Sequence, residues 1–187
     1  MRVIAGAAKG RRLQSVPGDV TRPIADRVKS ALFSILESQG AVAGRRWLDL
    51  FGGTGAVGIE ALSRGAASVV FVERDGRAVQ VIGQNLRSTG LGEGGRSQVV
   101  RGDAFAYLAR PDLEPFDVIY IAPPQYQGLW RRALLAVDAR PELLTPSGQA
   151  IVQIHPKEDE PDLPLAHLRR YDQRQYGSTR LVFYERA

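Results

Sequence analysis

The sequence contains no cysteine and only two histidines among its 187 residues. Disulfides, thiolate metal sites and a cysteine nucleophile are therefore excluded, and no metal centre is expected. No apolar run approaches the roughly 18 residues that a membrane helix needs. The amino-terminal segment MRVIAGAAKGRRL is charged and lacks the apolar core of a signal peptide. We therefore expect a cytoplasmic protein without membrane contact.

The net charge of +5 is unevenly distributed along the chain. Residues 1–30 carry seven basic and two acidic side chains, and residues 167–187 carry five arginines and two acids. The segment between them is slightly acidic. A clustered basic face is typical of proteins that bind polyanions, although an ordinary solvated surface explains a modest net charge equally well.

Apolar runs alternate with helical periodicity along most of the chain. The predicted strands are 46–51, 68–73, 97–101, 116–122, 148–154, 167–175 and 179–186, and the predicted helices are 24–38, 56–64, 76–88, 103–109 and 128–138. Such apolar strands separated by helices predict an α/β fold with a doubly wound, mostly parallel, seven-stranded Rossmann-like sheet. The last two strands predict a C-terminal antiparallel hairpin. Residues 1–22 are expected to form a small basic β-hairpin extension before one domain of residues 23–187.

A glycine-rich turn follows the first predicted strand, in the run WLDLFGGTGAVGIEALSRG. Gly52, Gly53 and Gly55 allow the backbone to approach a ligand closely. The spacing Gly53-x-Gly55-x-x-Gly58, with Glu73 twenty residues on, satisfies the dinucleotide pattern. S-adenosylmethionine (SAM) binding uses the same strand, loop and helix. A tight turn without a ligand is the remaining alternative.

Acidic residues at the strand ends favour SAM. Asp49 directly precedes the glycines, where a carboxylate can accept the methionine ammonium of SAM but would repel a pyrophosphate. Asp103, followed by Ala104, is placed to read an adenine amino group, although it can equally cap a helix. Ala122-Pro123-Pro124 follows the fourth strand, where a reacting group is expected, although two prolines can also simply end a strand.

The ordered motifs resemble one family over nearly the whole chain. The segments MRVIAGAAKGRRL, TRPIADRVKSALFSIL, WLDLFGGTGAVGIEALSRGA, VFVERD and FDVIYIAPPQY are similar to those of RsmD-type 16S ribosomal RNA guanine-N2 methyltransferases. The resemblance implies that residues 23–187 form a SAM-dependent methyltransferase domain. It also implies that the enzyme methylates the exocyclic amine of a guanine in 16S rRNA of the small ribosomal subunit. A monomer is the default expectation.

The family's functional positions carry over as follows. The cofactor loop corresponds to Asp49, Gly52, Gly53, Thr54 and Gly55, the ribose-binding carboxylate to Glu73, and the adenine site to Asp103 and Ala104. The family segment that borders cofactor and substrate corresponds to Arg22, Asp26 and Arg27. The remaining basic residues of the extension, Lys9, Arg11 and Arg12, are expected to contact RNA phosphates.

One motif departs from the family pattern. Family members usually read Asp-Pro-Pro or Asn-Pro-Pro followed by an aromatic residue, whereas this chain reads Ala122-Pro123-Pro124-Gln125-Tyr126. Ala122 removes the side-chain acceptor that orients the amine, and either the backbone carbonyls or Gln125 could replace it. Tyr126 stands one position late for the base-stacking aromatic and is otherwise a core tyrosine. A DNA amino methyltransferase and a non-catalytic SAM-binding RNA module therefore remain alternatives.

Overall fold

A computed structural model describes residues 1–18 and 23–187 of the chain. The helices are α1 (Asp26–Ser38), α2 (Ala56–Ser63), α3 (Gly76–Thr89), α4 (Ala104–Leu108) and α5 (Leu129–Asp138). The strands are β1 (Arg46–Asp49), β2 (Ser68–Glu73), β3 (Ser97–Arg101), β4 (Phe116–Ile121), β5 (Leu144–Ile154), β6 (Leu168–Tyr176) and β7 (Thr179–Arg186). Short 3-10 turns cover Pro141–Leu143 and Pro156–Glu158.

All seven strands form one sheet in the order β3-β2-β1-β4-β5-β7-β6. The first five pair in parallel, and β7 runs antiparallel between β5 and β6. The predicted doubly wound sheet with a C-terminal antiparallel hairpin is therefore confirmed. Strand order reverses between β1 and β4, and in such sheets ligands bind beyond the carboxyl ends of the strands at that reversal.

Helices cover both faces of the sheet, which explains why β1, β2 and β4 are buried almost throughout. One face packs against α1, α2, α3 and the amino-terminal extension. The other face packs against α4 and α5. Trp130 is buried in the second of these layers.

Two predicted elements differ from the structure by more than two residues. The hairpin in residues 2–16 is reduced to a single antiparallel bridge between Arg2 and Arg12, supported by a hydrogen bond from Val3 N–H to the Arg11 carbonyl. Strand β5 begins at Leu144, four residues before its predicted start, because the chain continues extended through a register shift opposite Phe116 and Val118. Strand pairing alone therefore does not hold the extension in place.

Buried polar groups on α2 hold the extension instead. The Glu60 carboxylate accepts the N–H groups of Ile4 and Ala5 at 2.9 and 3.0 Å, and Ser63 Oγ accepts the Ala8 N–H at 2.9 Å. Lys29 on α1 is fully buried, lies 3.5 Å from Glu60, and donates to the Arg2 carbonyl.

The division at residues 22 and 23 stays a prediction. Residues 19–22, which include the RNA-contact candidate Arg22, lie outside the described part of the chain. Val3, Ala8 and Leu13 of the extension pack in the same core layer as α1 and α2. Among the described residues, no helix has the length and apolar character that crossing a membrane requires.

Candidate cofactor and substrate site

The glycine loop joins β1 to α2 through a tight turn. Gly52 N–H donates to the Val72 carbonyl at 2.9 Å, and Gly55 N–H donates to the Gly52 carbonyl at 2.7 Å. Gly53 and Gly55 have φ angles of +56° and +79°, which residues other than glycine rarely adopt. The turn brings loop backbone to the carboxyl end of β1, where α2 also begins.

Gly58, the third glycine of the dinucleotide spacing, has a packing role. A Cβ atom there would lie 2.3 Å from the Phe71 ring. Helix α2 can therefore approach β2 closely only with glycine at this position. The dinucleotide spacing is thus accounted for by helix packing and turn geometry.

Asp49 is a buried carboxylate at the end of β1, with 2% of its surface exposed. Its Oδ2 accepts one hydrogen bond, from Gly58 N–H at 3.2 Å. The pKa of Asp49 is raised to about 7, mainly by burial; the Gly58 hydrogen bond opposes the shift, and the negative charge of Glu73 contributes to it. Within the described residues no basic side chain pairs with Asp49, so a ligand ammonium fits this carboxylate.

Glu73 ties the glycine loop to the end of β2. Its Oε2 accepts Gly53 N–H and its Oε1 accepts Asp75 N–H, both at 2.9 Å. A carboxylate offers about four acceptor positions, so further positions remain for the two hydroxyls of a ribose. These contacts fit the role that the family resemblance gives this residue.

Asp103 caps the amino terminus of α4, which was the alternative to adenine recognition for this residue. Its Oδ1 accepts Phe105 N–H and Ala106 N–H, both at 2.9 Å. The side chain is exposed, and both of these bonds end on Oδ1, so Oδ2 can still accept from an adenine amino group. Ala104, the other adenine-site candidate, is buried.

An aromatic pair stands beside Asp103. Phe51, directly before the glycines, packs edge-on against Phe105 with ring centroids 6.4 Å apart. The Arg132 guanidinium lies 3.7 Å from the centroid of Phe105. The sequence patterns did not single out this pair, because each residue also fits an ordinary amphipathic position.

The loop after β4 presents an aromatic side chain to solvent. Ala122 and Pro124 are half-buried and Pro123 is buried, whereas Tyr126 is 64% exposed. A core position for Tyr126 is therefore excluded. Tyr126 has a φ of +60°, the only positive φ of a non-glycine residue within the described chain. Such strain is maintained only where surrounding contacts impose it.

Contacts from the turn after β5 impose that conformation. Glu158 Oε1 accepts Tyr126 N–H at 2.7 Å, and its Oε2 accepts His155 N–H at 3.2 Å. The His155 ring lies 5.6 Å from the Tyr126 ring. The neighbouring Asp159 is clamped by Arg170 and Arg180 of the C-terminal hairpin, at 2.8 and 2.6 Å. Sequence reasoning missed these residues, since they come from a turn with no motif.

The basic candidates of the extension are all exposed where they are described. Lys9, Arg11 and Arg12 are exposed and form no ion pair within residues 1–18 and 23–187, and Arg27 is exposed on α1. They are therefore accessible to a polyanion. No sequence motif indicates how this extension contacts the cofactor loop.

Asn85, buried in α3, makes that connection. Its Nδ2 donates to the carbonyls of Gln14 at 3.1 Å and Thr54 at 2.9 Å, and its Oδ1 accepts Gln14 N–H at 2.7 Å. Thr54 Oγ1 also lies 3.7 Å from the Met1 sulfur. The extension and the cofactor loop are thus joined through one fully buried side chain.

The sheet order, the glycine loop and the acidic residues at the strand ends define the fold of Rossmann-like methyltransferases. The family model described as "Conserved hypothetical protein 95" matches residues 1–185, and the chain belongs to that family. The resemblance stated from the sequence is therefore confirmed.

Similar proteins agree with this assignment. Bacillus subtilis YlbH, named as a candidate rRNA methyltransferase, is 37% identical over 188 residues, covering 100% of this chain and 99% of YlbH. The Haemophilus influenzae ribosomal RNA small subunit methyltransferase D is 31% identical, covering 86% of this chain and 81% of that protein. The solved structure of Escherichia coli yhhF, described as a candidate methyltransferase, has a TM-score of 0.82 and 30% identity, covering 100% of this chain and 97% of yhhF.

Proposed function

We propose that this chain is a SAM-dependent rRNA methyltransferase that methylates the exocyclic N2 amine of a guanine in 16S rRNA of the small ribosomal subunit. The cofactor is S-adenosylmethionine. The observation that carries the proposal is the buried Asp49 carboxylate beside the glycine loop, which lacks a cationic partner among the described residues. Family membership supports the rRNA substrate, and the identity of the base is the finer part of the proposal.

The chain's own residues bind and orient the cofactor. Asp49 accepts the ammonium, Glu73 accepts the ribose hydroxyls, and Asp103 accepts the adenine amine. Gly52, Gly53, Thr54 and Gly55 shape the loop, and Ala104 limits the depth of the adenine site. When bound, the cofactor would supply a sulfonium methyl for attack by the guanine N2 lone pair, with the C–S electron pair retained by sulfur and the N2 proton released to water.

The loop after β4 receives the target base. Tyr126 is exposed and fixed in position, so its ring can stack on a guanine that has left the RNA helix. A backbone carbonyl of Ala122 or Pro123 accepts one amine proton, and Pro123 and Pro124 restrict its direction. Orientation of the amine toward the methyl is the main contribution required from the protein.

Methyl transfer from labelled SAM to small subunits that lack the modification tests the proposal. Digestion of the labelled rRNA should release N2-methylguanosine. Naked 16S rRNA and duplex DNA, assayed in parallel, distinguish the DNA amino methyltransferase, which would label DNA best. A protein that binds SAM and rRNA but transfers no methyl would be the non-catalytic module, and that result would refute the proposal.

The basic extension is proposed to contact RNA phosphates with Lys9, Arg11 and Arg12. Neutralising all three should weaken rRNA binding and reduce the slope of log affinity against log salt by about 2, since each phosphate contact contributes about 0.7–0.9. Nitrocellulose filter binding at several salt concentrations measures this slope. An unchanged slope would show that the extension does not contact phosphates. The cytoplasmic location and the monomeric state also stay predictions.

A further inference from the structure

Ala122 leaves the proposed reaction without the side-chain acceptor that the family usually places beside the amine. The inference below rests on the proposed function, because it concerns how this site holds an exocyclic amine. One backbone carbonyl can take one amine proton, and the second proton needs another acceptor in a fixed position. A polar side chain next to Ala122, on the same face of the sheet, would meet that need.

The strand register places Gln153 beside Ala122. Strands β4 and β5 pair Tyr120 with Ile151 and Ile121 with Val152. Continuing this parallel register by one residue sets Gln153 opposite Ala122. Neighbouring strands lie about 4.8 Å apart, and paired residues in a parallel sheet project to the same face. The Gln153 side chain therefore starts within reach of the space that an acidic residue at position 122 would occupy.

The same face carries the cofactor carboxylate. Asp49 pairs with Tyr120 across β1 and β4, so their side chains also lie on one face. Burial raises the pKa of Tyr120, and the negative charge of the neighbouring Asp49 raises it as well. Gln153, opposite Ala122, lies two residues further toward the carboxyl edge of the sheet than the paired Asp49 and Tyr120. A methyl donor held at Asp49 and an amine held at Gln153 would thus meet over adjacent strands.

Burial along β5 singles out Gln153. Every residue from Gly148 to Ile154 is buried except Gln153, which is half-buried. Ala122 is likewise half-buried between the buried Ile121 and Pro123. The two partly open positions are the two that the register sets side by side. Both positions lie at the carboxyl edge of the sheet.

Tyr120 fixes the Gln153 amide. The buried Tyr120 hydroxyl donates to Gln153 Oε1. An amide oxygen has two lone pairs, so one remains for a substrate proton after this bond is made. An acceptor held in place before the reaction needs no reorganisation in the transition state. Gln125, by contrast, is exposed in the loop and has no hydrogen-bond partner among the described residues.

We infer that Gln153 is a catalytic residue, whose side-chain oxygen accepts a hydrogen bond from the exocyclic amine in place of the residue missing at Ala122. The amide is oriented by Tyr120, which acts as a positioning residue. The side-chain acceptor that the family places after β4 is thus supplied here from the adjacent strand, β5. Because the Gln153 amide is neutral, it adds no negative charge that would compete with the neighbouring Asp49 for a cationic ligand.

Substitutions at Gln153 test this inference through the single-turnover rate of methyl transfer to small subunits. Gln153→Ala should lower the rate by about 10²-fold, as loss of one fixed polar contact to a transition state does elsewhere, while leaving SAM affinity unchanged. Gln153→Glu keeps an acceptor and should stay within about tenfold of wild type. The double variant Ala122→Asp/Gln153→Ala should recover at least about tenfold relative to Gln153→Ala.

A matched control exists on the same strand. Gln149 also accepts a hydrogen bond from a tyrosine, Tyr171, at 2.5 Å, but it pairs with Val118 near the start of β4. Gln149→Ala should therefore leave the transfer rate unchanged. If Gln153→Ala lowers the thermal midpoint or the SAM affinity, Gln153→Met, which fills a similar volume, replaces it in the comparison.

The outcomes separate the inference from the proposed function. A wild-type protein that transfers no methyl refutes both. An active wild type with Gln153→Ala and Gln153→Met within threefold of its rate refutes the role of Gln153 alone. A fall in rate without recovery in the Ala122→Asp double variant would also overturn it, because the acceptor would then not be interchangeable between the two strands.

Discussion

Replacing Asp49 with asparagine tests the electrostatics of the proposed cofactor site directly. The change keeps the side-chain shape, and the asparagine carbonyl can still accept the Gly58 N–H that Asp49 Oδ2 accepts at 3.2 Å. Only the capacity to carry a negative charge is lost. In the protein without cofactor this charge is unfavourable, because Asp49 is buried and lies near Glu73.

The magnitude follows from the pKa of Asp49. Burial raises it from 3.8 to about 7, so the native state keeps a proton that the unfolded chain releases. Ionisation therefore lowers the free energy of unfolding as the pH rises from about 4 to 7. At 1.36 kcal/mol per pH unit, the loss is roughly 2 kcal/mol at pH 5 and roughly 4 kcal/mol at pH 8. The Asp49→Asn variant has no carboxylate at this position, so its free energy of unfolding does not fall in this way.

Urea unfolding of both proteins without cofactor measures the effect. The advantage of Asp49→Asn in free energy of unfolding should grow by roughly 2–3 kcal/mol between pH 5 and pH 8. Any constant cost of burying the asparagine amide cancels in this comparison. Asp112→Asn, in an exposed loop, serves as the control and should show no comparable growth. An advantage of Asp49→Asn that does not change with pH would refute the reasoning.

A rise in pH, which destabilises the protein without cofactor, should strengthen cofactor binding. SAM binding to the wild type should weaken by up to about tenfold per unit as the pH falls from 7 to 5, because Asp49 becomes protonated. The amino group of free SAM stays charged over this range, since α-amino groups titrate near 7.7–8.0. Asp49→Asn should bind roughly 10- to 10²-fold more weakly at pH 8, with little dependence on pH from 5 to 7. Isothermal titration calorimetry gives both values.

Three further substitutions address the extension and the substrate loop. Gly6→Ala should destabilise the fold by roughly 2–4 kcal/mol in urea unfolding, because the added Cβ would lie 1.9 Å from a backbone oxygen of α2. Gly10→Ala is the control: its surroundings are open, so it should cost only about 1 kcal/mol. Lys29→Met should cost about 2 kcal/mol, since buried Glu60 loses one of its two ion-pair partners and keeps Arg64 at 2.8 Å, and an unfolding midpoint equal to wild type would contradict this. Glu158→Ala should lower the methyl-transfer rate by up to about 10²-fold at unchanged SAM affinity, because Tyr126 loses the bond that holds its strained backbone; an unaltered rate would show that this anchor is unnecessary.

Periodicity and turn residues were sufficient to predict the sheet. The apolar runs of β1, β2 and β4 are buried on both faces, so each left a continuous signal in the sequence. The glycine loop was equally clear, because its backbone conformation restricts Gly53 and Gly55 to glycine. These features are local, and local features can be identified without knowing the fold.

The contacts that complete the site are not local. Gln153 meets Tyr120 from 33 residues away, Glu158 meets Tyr126 from 32 residues away, and Asn85 meets Gln14 from 71 residues away. Each residue type is common at half-buried positions, so nothing in the sequence distinguishes it. Only the strand register and the sheet order bring these partners together, which is why a motif search ends at Ala122 and cannot find its replacement.

The attachment of the extension bears on how a substrate is chosen. Glu60 and Ser63 bind the extension through α2, and α2 begins at Gly55 of the cofactor loop. Asn85 joins the extension to Thr54 of the same loop. The basic extension is therefore anchored to α2 and, through Asn85, to the glycine loop, which are the elements proposed to bind the cofactor. Under the proposed function, a phosphate bound there would lie at a set distance from the methyl donor, and the enzyme would select a guanine according to whether the folded RNA spans that distance.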